Sequence, residues 1–112
     1  MMAANLRLSN LIILIDNNDF SGLERMSQGH PAFYPLEEKF AAFGCESCSV
    51  DGHDSDALLA AVNNRSGEKP YVMVCRTIKG KGVSFMEDEP IWHYRSPNAE
   101  EYEKALNELS GT

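Results

Sequence analysis

Five apolar residues in a row, Leu11-Ile12-Ile13-Leu14-Ile15, stop abruptly at Asp16-Asn17-Asn18-Asp19-Phe20. A short apolar run bounded by turn-forming polar residues is the pattern of a buried strand, because alternation is lost when both faces of the strand are covered. The run therefore delivers carboxamides and carboxylates to the strand's C-terminal end. In open parallel sheets, ligands bind outside the carboxyl ends of the strands, so a metal or phosphate site is expected there.

The rest of the chain repeats the alternation. Leu36, Phe40 and Phe43 fall at helical spacing, and Gly44 suits the position after that helix. Cys45 to Val50 reads as a strand. Asp54 or Ser55 can cap a helix whose expected inward face is Leu58, Leu59 and Val62, ending near Gly67. Pro70 opens a further strand over Tyr71 to Cys75. At the C-terminus, Asn98 and Glu101 form a capping box before a helix with Tyr102, Ala105, Leu106 and Leu109 on its packing face. Met1 to Leu8 reads as the end of a helix, and the stretch from Asp16 through Pro35 as a long loop. Strand, helix, strand, helix, strand, loop, helix argues for an α/β fold: a partial parallel sheet with flanking helices and right-handed crossovers. Three strands make a meagre core, so the chain is expected to be marginal alone and to need further residues or a partner.

Composition narrows the function classes. A net charge of −7 with no Lys/Arg-rich tract argues against nucleic acid. The longest apolar run is far short of the roughly 20 residues that span a bilayer, and no signal peptide is visible, so a cytoplasmic protein without a membrane partner is the simplest expectation. Cys45, Cys48 and Cys75 are an odd set, in keeping with a reducing compartment. Cys45 and Cys48 have redox-motif spacing, but in a strand residues three apart face opposite ways, so plain structural cysteines are expected.

Two further segments bear on the strand edge. Ile78-Lys79-Gly80-Lys81-Gly82 follows the Tyr71 strand, and Ile91-Trp92-His93-Tyr94-Arg95-Ser96-Pro97 follows later. Taken alone, Asp16-Asn17-Asn18 serves equally as a turn, Lys79 as a solvated basic turn, and His93 as a surface or packing residue. Together with Pro35-Leu36-Glu37-Glu38-Lys39-Phe40-Ala41-Ala42-Phe43-Gly44 and Val50-Asp51-Gly52-His53-Asp54, however, these strings give a chain that resembles the transketolases along nearly all its length. The resemblance is to the second half of their thiamine-diphosphate-binding domain.

That resemblance implies a single, incomplete domain over residues 1–112, ending where split transketolases end their N-terminal subunit. It implies thiamine diphosphate and Mg2+ (or Ca2+) as cofactors, with the Asn18 side chain and the Phe20 main chain on the metal and Lys79 beside the diphosphate. Lys81, two residues on, remains an alternative. His93 takes the place of the histidine between diphosphate and substrate that assists proton transfer. The implied reaction is transfer of a two-carbon ketol unit between sugar phosphates. The family's upstream Gly-Asp-Gly segment and its pyrimidine-binding domain are missing from this sequence. The expected partners are therefore the remaining transketolase segments or a C-terminal pyrimidine-binding subunit, in a homo- or hetero-oligomer, with the isolated chain inactive. The alternatives are a non-catalytic interaction or regulatory module, or remnant, of the same fold, and a fragment of a related thiamine-dependent synthase.

Overall fold

The computed structural model describes residues 1–111; Thr112, the last residue of the expected domain, lies outside them. In chain order the elements are α1 (Met2–Asn5), β1 (Ile12–Asn17), β2 (Phe20–Ser21), β3 (Glu24–Arg25), α2 (Met26–Gly29), α3 (Leu36–Ala42), β4 (Glu46–Asp51), α4 (Ser55–Asn63), β5 (Tyr71–Arg76) and α5 (Ala99–Leu109). Short 3-10 turns cover Pro31–Phe33 and Pro90–His93. The fold is α/β, with β1, β5 and β4 in one parallel sheet flanked by helices.

The strand last in the chain is central in the sheet. Because β5 lies between β1 and β4, both its faces and both its edges are covered, and Tyr71, Val72, Met73, Val74 and Cys75 are all buried. This is the near-continuous apolar run that a central parallel strand requires. Tyr71, Met73 and Cys75 share a face with Val50, and against them pack Ala57, Leu58, Ala61 and Val62 of α4, with Ile12 and Cys48 beside them. Val72 and Val74 face the other way, and α3 packs on β4 and β5. Cys48 Sγ lies 3.0 Å from the Tyr71 hydroxyl, and all three cysteines are free thiols.

Register decides where the loops meet. Ile12 and Glu46 both pair with Tyr71, while Asn17 and Asp51 both pair with Arg76, so the three strands finish level. The connections after β1, β4 and β5 therefore leave from a single edge.

Caps follow the sequence closely. The Asp54 carboxylate accepts from the amides of Asp56 and Ala57 at 3.0 and 2.9 Å. The Asn98 and Glu101 capping box is complete, both bonds being 2.9 Å. Gly44 takes φ +91°, the left-handed conformation expected after α3.

Several expectations change. The loop from Asp16 to Pro35 is structured, since Gly22 at φ +63° lets two residues turn β2 back on β3. Leu59 does not face inward: Leu58 sits on the sheet, and one residue further is turned by about 100° around the helix, so Leu59 is 60% exposed while Ala57 and Ala61 fill the contact. On α5 only Ala105 of the expected face is buried. On α3 Leu36 is buried, but Phe43 is exposed and meets Phe40 edge-to-face at 6.4 Å. The N-terminal helix is a single turn, ended where Arg7 takes a positive φ.

Met73→Ala should therefore destabilise the chain by about 2–5 kcal/mol, as core truncations do. Leu59→Ala should change stability by no more than about 0.5 kcal/mol. Urea denaturation of the two variants beside the parent checks the difference.

Candidate functional site

The loop after β1 is built by short polar contacts within its own sequence. Asn18 Oδ1 accepts the Phe20 amide at 2.9 Å, a turn in which the side chain stands in for a backbone carbonyl. Asp19 follows at φ +65°, a region Asp tolerates better than most residues. Its carboxylate accepts the Ser27 amide at 2.8 Å, the Ser27 hydroxyl at 2.6 Å and the Tyr34 hydroxyl at 2.8 Å. The Ser27 hydroxyl, chiefly, holds the Asp19 carboxyl below its ordinary value of 3.8, against partial desolvation. Burial, and then the hydrogen bond to the Asp19 carboxylate and its charge, push Tyr34 up to about 12, so its hydroxyl stays a donor. The same hydroxyl lies 3.1 Å from Asn17 Oδ1. Asn17, Asn18, Asp19, Phe20, Phe33 and Tyr34 line a cavity of about 340 Å³.

The next loop leaves β5 directly alongside. Thr77 donates its amide to the Asn17 carbonyl at 3.2 Å and its hydroxyl to the Asp16 carboxylate. The chain then turns at Ile78–Lys81, closed by the Lys81 amide on the Ile78 carbonyl at 3.2 Å. Gly80, third in the turn, has φ +73°, and a Cβ there would run into the Met86 carbonyl, so glycine is required on two counts. Lys81 Nζ pairs with Glu87 at 3.7 Å. Lys79 is half-buried and makes no ion pair among the described residues. Of the two lysines, Lys79 is the one left with its charge uncompensated.

Arg25 fastens the two loops together. Its guanidinium lies 3.8 Å from the Asp19 carboxylate, 3.9 Å from that of Asp88, and 4.5 Å over the Phe20 ring. Asp88 in turn donates its amide to the Lys79 carbonyl at 2.9 Å. Sequence reasoning misses Asp19, Tyr34, Arg25 and Asp88; the Ser21-Gly22-Leu23-Glu24 hairpin signal is the available clue to Arg25's position.

His93 stands apart from the other three residues. It ends the 3-10 turn Pro90–His93, is exposed, packs edge-on to Tyr94 at 4.7 Å and does not line the Asn18 cavity. Its segment is nonetheless anchored. The Trp92 indole donates to the Phe85 carbonyl at 3.0 Å, and a Cβ at Gly22 would be 3.1 Å from the Tyr94 hydroxyl. The structure thus joins Asn18 to Phe20 directly and sets Lys79 on the neighbouring strand's loop, while His93 remains on the outer surface.

Among the described residues no three His, Cys, Asp or Glu side chains converge to hold a metal ion. The donors at Asn18 and Phe20 are of another kind, a carboxamide and a main-chain carbonyl, hard neutral oxygens of the type magnesium and calcium accept. Asn18 Oδ1 keeps a lone pair beyond the one given to Phe20, so it fits as one corner of a shell. The carboxylates lining the cavity, Asp16 and Asp19, are already engaged by Thr77, Ser27 and Tyr34. Anionic ligands for such a shell would have to come from the diphosphate or from another segment.

The family model of the transketolase thiamine diphosphate binding domain matches residues 1–109, and the chain belongs to that family. It is 36% identical over 110 residues to one of the subunits of an apulose-4-phosphate transketolase from Actinobacillus succinogenes, covering 97% of this chain and 40% of that protein. The 6-deoxy-6-sulfo-D-fructose transketolase subunit SqwG of a Clostridium species is 36% identical over 111 residues, with the same coverage of 97% and 40%. A crystal structure of transketolase from Campylobacter jejuni matches with a TM-score of 0.83 at 24% identity, over 97% of this chain and 17% of that one, a likeness of fold. The chain thus spans about 40% of the length of the curated subunits it matches.

Asp19→Asn tests the loop network through pH. Because the native carboxyl titrates below 3.8, its contribution is present above that pH and is lost as pH falls through the depressed native value. The variant should be less stable than the parent by about 1–2 kcal/mol near neutrality. The gap should close in acid, read as denaturation midpoints along a pH series.

Proposed function

We propose that this chain supplies one part of the thiamine-diphosphate and magnesium site of a transketolase-type transferase, and that other segments or a partner subunit complete it. In this reading the chain is the C-terminal half of the diphosphate-binding domain, a single incomplete unit over residues 1–112. Asn18 Oδ1 and the Phe20 carbonyl take two positions on the metal, Lys79 faces the diphosphate, and His93 serves the substrate. The carbon chemistry belongs to the cofactor, and the protein's part is to bind and orient it.

One observation carries the reading. The oxygen donors of the Asn18 loop and the uncompensated Lys79 leave adjacent parallel strands at the same carboxyl edge, and Arg25 ties their loops together. Neutral oxygens and, on the neighbouring loop, a lysine without an ion pair among the described residues suit a dianionic ligand that brings its own metal. The reaction class that follows is two-carbon ketol transfer between sugar phosphates. No helix among the described residues is long and apolar enough to cross a membrane, and the three free thiols accord with a cytoplasmic setting.

The exposed position of His93, outside the Asn18 cavity, favours a second reading, a non-catalytic module that keeps the fold. Calorimetric titration separates the two. Thiamine diphosphate with magnesium should bind only after the remaining transketolase segments are added, and failure to bind in either state would leave the module reading standing. In the assembled protein Asn18→Ala should weaken magnesium-dependent binding about tenfold or more, since the loss of even an outer-shell partner of a metal ligand costs that much. Lys79→Ala should weaken diphosphate binding more than Lys81→Ala, because Lys81 is already paired. Equal effects of the two would remove the assignment to Lys79.

A further inference from the structure

The Lys79 turn is gripped from the far side of the sheet edge. After β4, the Gly52 amide donates to the Arg76 carbonyl at 2.7 Å. Gly52 lies so close to β5 that a Cβ would be 2.5 Å from Thr77 Cγ2, 3.0 Å from the Arg76 carbonyl and 3.1 Å from Cys75 Cβ. That close approach sets the next residue, His53, beside the start of the turn. The His53 amide donates to Asp51 Oδ1 at 2.9 Å, and its ring Nε2 lies 2.8 Å from the amide nitrogen of Ile78. A backbone N–H can only donate, so Nε2 offers its lone pair and the ring proton resides on Nδ1.

Ile78 is therefore held twice, by His53 at its amide and by the Lys81 amide at its carbonyl. Lys79 is the next residue, and the direction of its side chain follows from how the first residue of the turn is fixed. Water could satisfy the Ile78 amide equally well in chemical terms, but water would not tie the loop after β4 to the loop after β5. We propose that His53 is a positioning residue: its neutral Nε2 clamps the Ile78 amide and so orients the turn that presents Lys79. The consequence for diphosphate rests on the reading of Lys79 given above, whereas the clamp itself does not.

The clamp has a built-in release. An imidazolium carries hydrogens on both nitrogens, so on protonation Nε2–H would face the Ile78 N–H donor to donor. The charged groups that line the cleft with His53 are Asp51 at the end of β4, Arg76 at the end of β5 and Lys81 in the turn, while Asp54 and Asp56 follow in sequence at the start of α4. The test compares His53→Ala and His53→Gln with the parent in the complete chain. A glutamine amide oxygen can occupy the place of Nε2 and does not titrate.

The Ile78 amide protection factor should fall about two- to tenfold in His53→Ala, the loss of one ordinary hydrogen bond, and be restored in His53→Gln. In the parent it should fall on acidification, because protonation removes the Nε2 lone pair that the Ile78 amide uses, and His53→Gln should abolish that dependence. Unchanged protection in His53→Ala overturns the clamp. Affinity for magnesium thiamine diphosphate in the assembled protein is then read on the same variants. Lost protection with unaltered affinity overturns the positioning role and leaves the Lys79 reading intact. Lost protection with no binding even by the parent overturns the Lys79 reading, and the positioning role with it, while the clamp stands.

Discussion

β1 and β4 share no hydrogen bonds with each other, and each belongs to the sheet only through β5. The apolar run Tyr71 to Cys75 thus occupies the place in the parallel sheet where both edges and both faces are covered. Its register with both neighbours brings Asn17, Arg76 and Asp51 level, and that alignment makes neighbours of the Asn18, Lys79 and His53 loops. The core and the candidate site are in this sense products of one pairing. The interior that buries Met73 is the same layer that fixes where Lys79 begins.

Several features are legible in the sequence because each depends on local chemistry. The strands at Ile12 and Tyr71, the Asp54 cap, the Asn98–Glu101 box and the left-handed Gly44 are set by residues within a few positions of one another. The turn at Asn18 is legible for the same reason. What escapes reading depends on distant partners. Arg25 meets Asp88 across 63 residues, and nothing beside either residue announces the other. Helical spacing misplaces Leu59 and the α5 face because it marks an apolar stripe but does not say how much sheet lies beneath it. Leu14, in the middle of the most apolar run, is 60% exposed because α4 packs over β4 and β5.

The electrostatics of the edge are economical. In a chain of net charge −7, the basic groups near the loops are mostly committed: Arg25 to Asp19 and Asp88, Arg76 to the Ser49 hydroxyl, Lys81 to Glu87. The acidic groups are committed as well, Asp19 to Ser27 and Tyr34, Asp16 to Thr77. These contacts fix loop shape, while Lys79, like Arg76, has no carboxylate partner among the described residues. A ligand arriving there would meet a preformed backbone and a lysine without an ion pair among the described residues.

The place of β5 also bears on how the molecule is made. Synthesis runs from the N-terminus, so β1 and β4 emerge and wait before the strand with which each of them pairs here, Tyr71–Arg76, has been made. Such segments are open to misassociation while they wait, since non-local parallel pairing is intrinsically slow. A nascent chain stalled between Asn63 and Pro70 would hold two of the parallel sheet's three strands and none of its pairings. Nicking the finished protein in the same exposed stretch would sever backbone while leaving every strand pair in place.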